Sequence, residues 1–328
     1  MALNEFALIE EYFSSLGKAP GVALGVGDDA AVLDVPEGEQ LVVTVDTLVS
    51  GVHFPQSASP CDIAHRSLRV NLSDIAAMGA EPRWFTLALT LPEANKDWLQ
   101  KFSKALAEDA DTFGCALVGG DTTAGPLSIT IQLFGTVPKD KALTRSGAQV
   151  GDKVYVTGSL GEGAAALPLF GIGEPITVAD KTDSQSLLQR FYRPEPRLSE
   201  GLKLRGLASA VLDVSDGLLA DLGHIAKASH LGANIYLEQL PVAPWLKALA
   251  EPDRVTEWVL SGGDDYELCF TVPQENCSTV DTLIKQGELP ACCIGQMASE
   301  PGVRCFGSQE NDEQGGLVKV DQSGYQHF

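Results

Sequence analysis

The feature that most constrains this chain is the placement of its aspartates. Asp28 and Asp29 stand in GVGDDAAV, Asp46 closes the apolar run LVVTVD, and Asp74 lies inside NLSDIAAMGA. Asp121 follows CALVGG, Asp213 and Asp216 flank Ser215 in LDVSDGLL, and Asp264 and Asp265 lie in SGGDDYEL. Each has small or apolar neighbours and little basic charge nearby. A buried, unpartnered carboxylate is costly, so such groups either neutralise by a pKa shift or meet a cation. One Asp-Gly pair alone reads as a turn. Several at the ends of apolar runs call for a fold that gathers strand ends, where α/β proteins collect ligand groups. Oxygen donors without a His or Cys cluster suit a hard cation, Mg²⁺ before Zn²⁺. Asn71 and Asp74, three apart, share one helix face.

The hydrophobic pattern supplies such a fold. In the first half, LVVTVD (41–46) reads as a strand and 62–80 as a helix with Leu68, Leu72 and Ile75 near one face. Residues 98–114 form a second amphipathic helix stopped by Gly114, and 115–121 and 127–137 are strands around a turn. The stretch 137–152 is polar and turn-rich, as inter-domain linkers are. After it come strand 153–158, the Gly-rich GSLGEG with a helix-like AAALPLF, strand 210–214, and a helix over 215–229 with a Ser/Asp start. Residues 258–272 read as a strand or helix end, a Gly turn and a strand. The expected fold class is α/β (α+β) in two domains, 1–140 and 149–328, each layering helices on a sheet.

Bulk properties exclude other classes. The 328 residues carry 23 basic and 44 acidic side chains, a net charge of −21. That argues against nucleic acid, which is bound through basic patches. Solubility alone accounts for acidity equally well. The start, MALNEFALIEEYF, has no basic n-region, and no apolar run reaches membrane-spanning length. Seven cysteines without a CxxC argue against a disulfide framework and fit a reducing cytoplasm. Cys292-Cys293 reads as core filling.

Gathered carboxylates suit a polyanionic substrate held through magnesium. Two unit charges ~5 Å apart repel by roughly 3 kcal/mol at an effective dielectric near 20. A triphosphate approaching a second phosphate multiplies that repulsion, and metal ions offset it. GGD at 119–121 and SGGDD at 261–265 let backbone amides approach a ligand. Ser215-Asp216-Gly217 opens a helix, whose N-terminus favours phosphate. Arg145 in LTRSG reads either as a phosphate clamp or as a solvated linker charge. GSLGEG is a weak signal on its own. Neither GxxxxGK[ST] nor the protein-kinase HRD and DFG set occurs.

In order along the chain, GVGDDAAV, TVDTLVSGVHF, NLSDIAAMGA, GGDTT, LTRSGA, DVSDGLLADLGHI and SGGDDYELCF resemble thiamine-monophosphate kinase. That family belongs to a superfamily with aminoimidazole ribonucleotide synthetase and selenophosphate synthetase. The resemblance covers nearly the whole chain. It implies the last step of thiamine diphosphate biosynthesis, phosphoryl transfer from ATP to thiamine monophosphate with several Mg²⁺ ions. It implies a homodimer whose N-terminal strands form a barrel across the two-fold axis, with ATP and magnesium between the domains. Carried onto this chain, it points to Asp29, Thr44, Asp46, Asp74, Asp121, Asp213 and Asp216 as metal ligands. Gly120, Asp121, Arg145 and Ser215 would bind ATP, and His53, Asp264 and Tyr325 thiamine phosphate. His53 also reads as a packed or surface histidine. The family commonly has Glu where Asp264 stands, one methylene longer.

On that reading the acceptor is a phosphate monoester, mostly dianionic at neutral pH. No aspartate is expected to act as an essential general base. Asp264, Tyr266 and Tyr325 would suit the thiazolium cation; Tyr266 equally reads as core. Selenophosphate synthetase would want a reactive Cys near the N-terminus, but the first here is Cys61. The hydrogenase-maturation relative would want a C-terminal Cys, but the chain ends in HF. The aminoimidazole ribonucleotide synthetase reading fits SGGDDYELCF and NLSDIAAMGA less well. A non-catalytic metal- or nucleotide-binding regulator is the alternative of another class, and a turnover assay separates it from an enzyme.

Overall fold

The computed structural model describes residues 5–17, 19–176, 181–307 and 316–318. Tyr325 lies outside them. The chain divides into two compact units, the first Met1–Ile75 with Ala80–Ala142, the second Ala76–Gly79 with Leu143–Phe328.

The first unit opens with α1 (Glu5–Tyr12) and a small hairpin of β1 (Val22–Leu24) and β2 (Val32–Leu33). Then follow β3 (Glu39–Val49), α2 (Pro60–Ala77), β4 (Glu81–Leu91), α3 (Lys96–Phe113), β5 (Ala116–Ala124) and β6 (Ser128–Pro138). The four long strands form one sheet in the order β3-β6-β4-β5, and among the described residues it does not close on itself. β3 and β4 run antiparallel to β6, while β4 and β5 run parallel. Helix α3 starts where the Asn95 side chain accepts from the Trp98 amide and stops at left-handed Gly114.

Period-two alternation gives the sheet two different faces. Val42, Thr44, Asp46 and Leu48 share one with Leu133, Ile131 and Ile129 of β6. Helix α2 covers this inner face, with Leu68, Leu72 and Ile75 buried and Ile75 against Gly135 of β6. On the other face Leu41, Val43 and Val45 are 44%, 48% and 56% exposed. The outer face is covered at Trp84, whose Nε1 donates to the Pro20 carbonyl at 3.2 Å.

The second unit comprises β7 (Lys153–Thr157), α4 (Glu162–Ala166), α5 (Lys181–Tyr192), α6 (Leu198–Leu204), β8 (Ala210–Asp213), α7 (Leu218–Ala228) and β9 (Gly232–Tyr236). It continues with α8 (Pro252–Ser261), β10 (Leu268–Val272), α9 (Gln274–Lys285), β11 (Ala291–Ala298), β12 (Gly302–Gly307) and β13 (Gly316–Val318). The seven strands are ordered β13-β12-β9-β11-β7-β10-β8, antiparallel except for the β12–β9 pair. Tyr155 and Phe270 stack in its core at 5.4 Å, beside Val211, Leu268 and Leu289. The protein is thus a mixed α/β fold of two units. No helix among the described residues is long and apolar enough to cross a membrane.

Two local expectations change. Asp46 does not end its strand; β3 runs on to Val49, because Thr47, Leu48 and Val49 continue the β-rich run. The helix expected over 215–229 starts at Leu218, since Gly217 before it has φ +116°. Ser215 and Asp216 therefore belong to a turn ahead of the helix, whose N-cap is Gly217.

Candidate active site

In the first unit the acidic residues fall into two groups. Thr44 and Asp46 point from β3 toward α2, where Thr44 Oγ1 donates to Asp74 Oδ2 at 2.5 Å. Burial, and then the charge of Asp74, push the Asp46 carboxyl up to about 6. Two carboxylates drawn together at a half-buried position, with a hydroxyl between strand and helix, make an all-oxygen donor set of the kind a hard cation takes. Asn71, one turn before Asp74, is fully buried, and its Nδ2 donates to the Ser67 carbonyl at 2.9 Å. Its Oδ1 has no partner among the described residues.

The second group lies at the far edge of the same sheet. A cavity of about 610 Å³ is lined by Asp28 and Asp29 from the hairpin loop, by Thr86, and by Gly119, Gly120 and Asp121 of β5, with Phe13 and Ile9 of α1 on its apolar side. Gly120 is required there: its φ is +153°, and a Cβ would stand 1.9 Å from the Leu87 carbonyl oxygen. The pairing register places Asp46, Ile131, Leu87 and Gly120 in one row, and Thr47, Thr130, Ala88 and Asp121 in the next. Asp46 and Asp121 therefore lie on opposite faces and opposite edge strands of one sheet. Three inter-strand spacings separate those edges by about 14 Å.

His53 sits in the turn after β3. Its Nδ1 accepts from the Val49 amide at 3.0 Å, and its carbonyl accepts from Arg66 Nε at 3.0 Å. The neutral ring then carries its proton on Nε2.

In the second unit β7, β10 and β8 are neighbours, and register brings their connecting loops to one end of the sheet. Leu268 opens β10 opposite Asp213, the last residue of β8, and Cys269 pairs Val156 near the end of β7. The turn 214–217 and the segment 262–267 are joined by backbone hydrogen bonds. The Val214 amide donates to the Glu267 carbonyl at 2.8 Å, Tyr266 to Val214 at 2.8 Å, and Asp264 to Ser215 at 2.9 Å. A Cβ on Gly263 would meet the Ser215 carbonyl oxygen at 2.3 Å. Asp264 and Tyr266 both adopt left-handed backbone, φ +66° and +52°, a strain typical of functional segments. The Tyr266 hydroxyl donates to Asp264 Oδ1 at 2.9 Å. Asp213 is buried, whereas Ser215 and Asp216 are half-buried. Arg145 is exposed.

Three features escaped the sequence. Asp265, beside Asp264, is buried and accepts from the Gly161 amide at 2.9 Å and the Gly163 amide at 3.3 Å. Burial pushes its carboxyl well above the ordinary range, against those two donors. The glycine amides of GSLGEG thus hold an internal carboxylate. Glu267 is buried and accepts from Thr157 Oγ1 and from Arg197 Nε and Nη2, each at 2.6 Å. Arg190 bridges Glu267 to Glu162. Asp221 accepts from the amides of Ser215, Asp216 and Gly217. Burial pushes its carboxyl up to about 7, opposed by those amides and reinforced by the charge of Asp216. The usable signal was the apolar arc of α7, where Asp221 lies among buried Leu218, Leu219 and Leu222.

Among the described residues no three His, Cys, Asp or Glu side chains form a ready metal cluster. The donor set still fits magnesium at Thr44, Asp46 and Asp74, where like charges meet.

Both units match models of one class, described as AIR synthase related protein: the N-terminal domain over residues 27–137 and the C-terminal domain over 149–307. Thiamine-monophosphate kinase of Escherichia coli K12 is 46% identical over 329 aligned residues, covering 100% of this chain and 99% of that protein. The crystal structure of thiamine-monophosphate kinase from Stenotrophomonas maltophilia K279a superposes with a TM-score of 0.84 at 46% identity, covering 93% of this chain and 97% of that one. A structure of AaThiL complexed with AMPPCP and TMP superposes with a TM-score of 0.75 at 29% identity, covering 100% and 99%. The chain belongs to the thiamine-monophosphate kinase family and is a kinase.

Proposed function

We propose that the chain transfers the γ-phosphoryl group of ATP to thiamine monophosphate, giving thiamine diphosphate and ADP. The observation that carries this is the end-to-end match to AaThiL complexed with AMPPCP and TMP, an ATP analogue and the acceptor. An acceptor phosphate oxygen bonds to the γ-phosphorus in line with the leaving group. The bond from that phosphorus to the bridging oxygen breaks, and ADP leaves with the electron pair. The acceptor is already dianionic, so no aspartate needs to take a proton. Positioning and charge neutralisation supply the rate.

Asp29, Thr44, Asp46, Asp74, Asp121, Asp213 and Asp216 would hold magnesium, which when bound offsets the repulsion between the two phosphate groups. Gly120, Asp121 and Arg145 are proposed to bind the nucleotide. Ser215 joins them through its hydroxyl, because its amide is engaged by Asp221. His53 and Asp264 are proposed to bind thiamine phosphate, with Tyr266 orienting Asp264. Tyr325 keeps the substrate-binding role that the resemblance implies.

A homodimer is part of the proposal. The exposed Leu41, Val43 and Val45 lie on an edge strand, and such edges are normally covered or paired. Two four-stranded sheets closing into a barrel about a two-fold axis would bring β3 of each copy to β5 of the other. That pairing sets the strand of Thr44 and Asp46 next to the strand of Gly120 and Asp121 from a second copy. The test is thiamine diphosphate formation from ATP, Mg²⁺ and thiamine monophosphate, followed by chromatography. Product stoichiometric with ADP and abolished by EDTA supports the reading; ADP without that product refutes it.

A further inference from the structure

Asp221 has no part in the roles assigned so far. It lies one turn into α7 and is 3% exposed. A single oxygen, Oδ2, accepts from three consecutive amides: Ser215 at 3.0 Å, Asp216 at 3.0 Å and Gly217 at 3.1 Å. Consecutive amides converging at a helix N-terminus form a nest that ordinarily receives an anion from solution. Here an internal carboxylate fills it. These amides are therefore not available to a phosphate oxygen, and the turn carrying Ser215 and Asp216 is fixed from inside the fold.

The fixing extends further than the turn. The Ser215 carbonyl accepts from the Asp264 amide, and the Val214 carbonyl from the Tyr266 amide. Gly217 packs so closely on the end of α8 that a Cβ there would stand 2.8 Å from the Ser261 carbonyl carbon. Residues 214–217 and 262–266 are one bonded assembly with Asp221 beneath it. A cap serving helix stability alone needs an acceptor for one or two amides of the first turn. Asp221 instead holds the turn ahead of the helix.

We infer that Asp221 is a positioning residue for phosphoryl transfer, which sets the turn of Ser215 and Asp216 on the nucleotide side and, through the Ser215–Asp264 pairing, Asp264 on the acceptor side. This rests on the kinase reading above. Asp221→Asn keeps the shape of the side chain but replaces one of its two oxygens with an amide nitrogen, which donates instead of accepting and so competes for the place facing the three amides. Displacement of reacting groups by an ångström costs up to about 100-fold in rate.

The test uses the full-length protein with Asp221→Asn and Asp221→Ala. Thermal melting, kcat, both KM values and the Mg²⁺ concentration for half-maximal rate are measured for each. Hydrogen exchange of amides 215–217 and Mn²⁺ binding by electron paramagnetic resonance are measured alongside. For folded Asp221→Asn, kcat should fall about 10- to 100-fold. Half-saturation in Mg²⁺ and KM for thiamine monophosphate should both rise several-fold, and exchange at 215–217 should quicken. Asp221→Ala should move every readout further. A folded Asp221→Asn with a lower melting temperature but unchanged kcat, KM values and Mg²⁺ dependence would leave only helix capping, and the inference would be wrong. If neither variant folds, exchange in the unmodified protein decides: unprotected amides at 215–217 overturn the inference. An unmodified protein that forms no thiamine diphosphate overturns the kinase reading instead. Mn²⁺ affinity and exchange in Asp221→Asn then still decide the positioning role, and unchanged values overturn it.

Discussion

Asp46 and Asp121 offer a test of whether one active site draws on two chains. Within one sheet they lie on opposite faces, on edge strands about 14 Å apart. Oxygens on one Mg²⁺ ion sit about 2.1 Å from it, hence no more than about 4 Å from each other. One chain cannot bring both residues to the same ion; a β3–β5 pairing between copies leaves them on opposite faces but narrows the gap from three strand spacings to one, about 5 Å, within reach of separate ions on one triphosphate. Asp46→Asn and Asp121→Asn homodimers should each lose several kcal/mol of transition-state stabilisation, about 100-fold or more in kcat/KM. A heterodimer of the two variants has one site in which both aspartates are intact and one in which both are changed. Its activity should recover to about half that of the unmodified dimer, by two-fold symmetry. The assay co-expresses the variants with different affinity tags, isolates the heterodimer by sequential purification and measures thiamine diphosphate formation. A verified heterodimer as inactive as its parents would show that each chain keeps its sites to itself, and the shared-site argument would fall.

Other outcomes follow from contacts elsewhere. Tyr266→Phe removes the hydroxyl that donates to Asp264; KM for thiamine monophosphate should rise about tenfold, near 1.4 kcal/mol, with KM for ATP unchanged in the same steady-state assay. Gly120→Ala forces a Cβ to within 1.9 Å of the Leu87 carbonyl, so calorimetry should show a destabilisation of about 3 kcal/mol or more. Asp109 joins α2 to α3 through His65 Nδ1 at 2.8 Å and a two-pronged bond from Arg69. Burial raises its carboxyl, but the His65 and Arg69 bonds outweigh that and hold it below its ordinary value. Its stabilising contribution is present above the unfolded carboxylate pKa and is lost as pH falls through the lower folded value. The melting-temperature gap between Asp109→Asn and the unmodified protein should therefore be full near neutrality and close in strong acid.

Local periodicity made much of the fold legible. The runs at 153–158 and 210–214 and the helices at 62–80 and 98–114 correspond to β7, β8, α2 and α3, with ends shifted by at most three residues. Strand order was not legible, because pairings such as β3 with β6 are made between segments far apart in sequence and leave no local pattern. The same limit hid the split of the acidic set. GGD and TVD look alike as motifs, yet pairing register puts Asp121 and Asp46 on opposite faces. The reading of GSLGEG as a weak phosphate signal gave way to a burial effect, since Asp265 takes its amides. Asp221 was overlooked because an acid in an amphipathic helix usually faces solvent, and only tertiary packing turns it inward.

The β3–β6 pairing also governs how the chain is made. Glu39 pairs with Pro138, 99 positions further along the chain. At synthesis rates of about 5–20 residues per second, β3 waits roughly 5–20 s for its partner strand. Through that interval a β-prone segment with Leu41, Val43 and Val45 is present in a nascent chain without its native neighbour. Such long-range closure is slow and prone to mispairing. Yield of active enzyme should therefore respond to the pace of translation between these strands, and to chaperones that shield β3 until β6 has emerged.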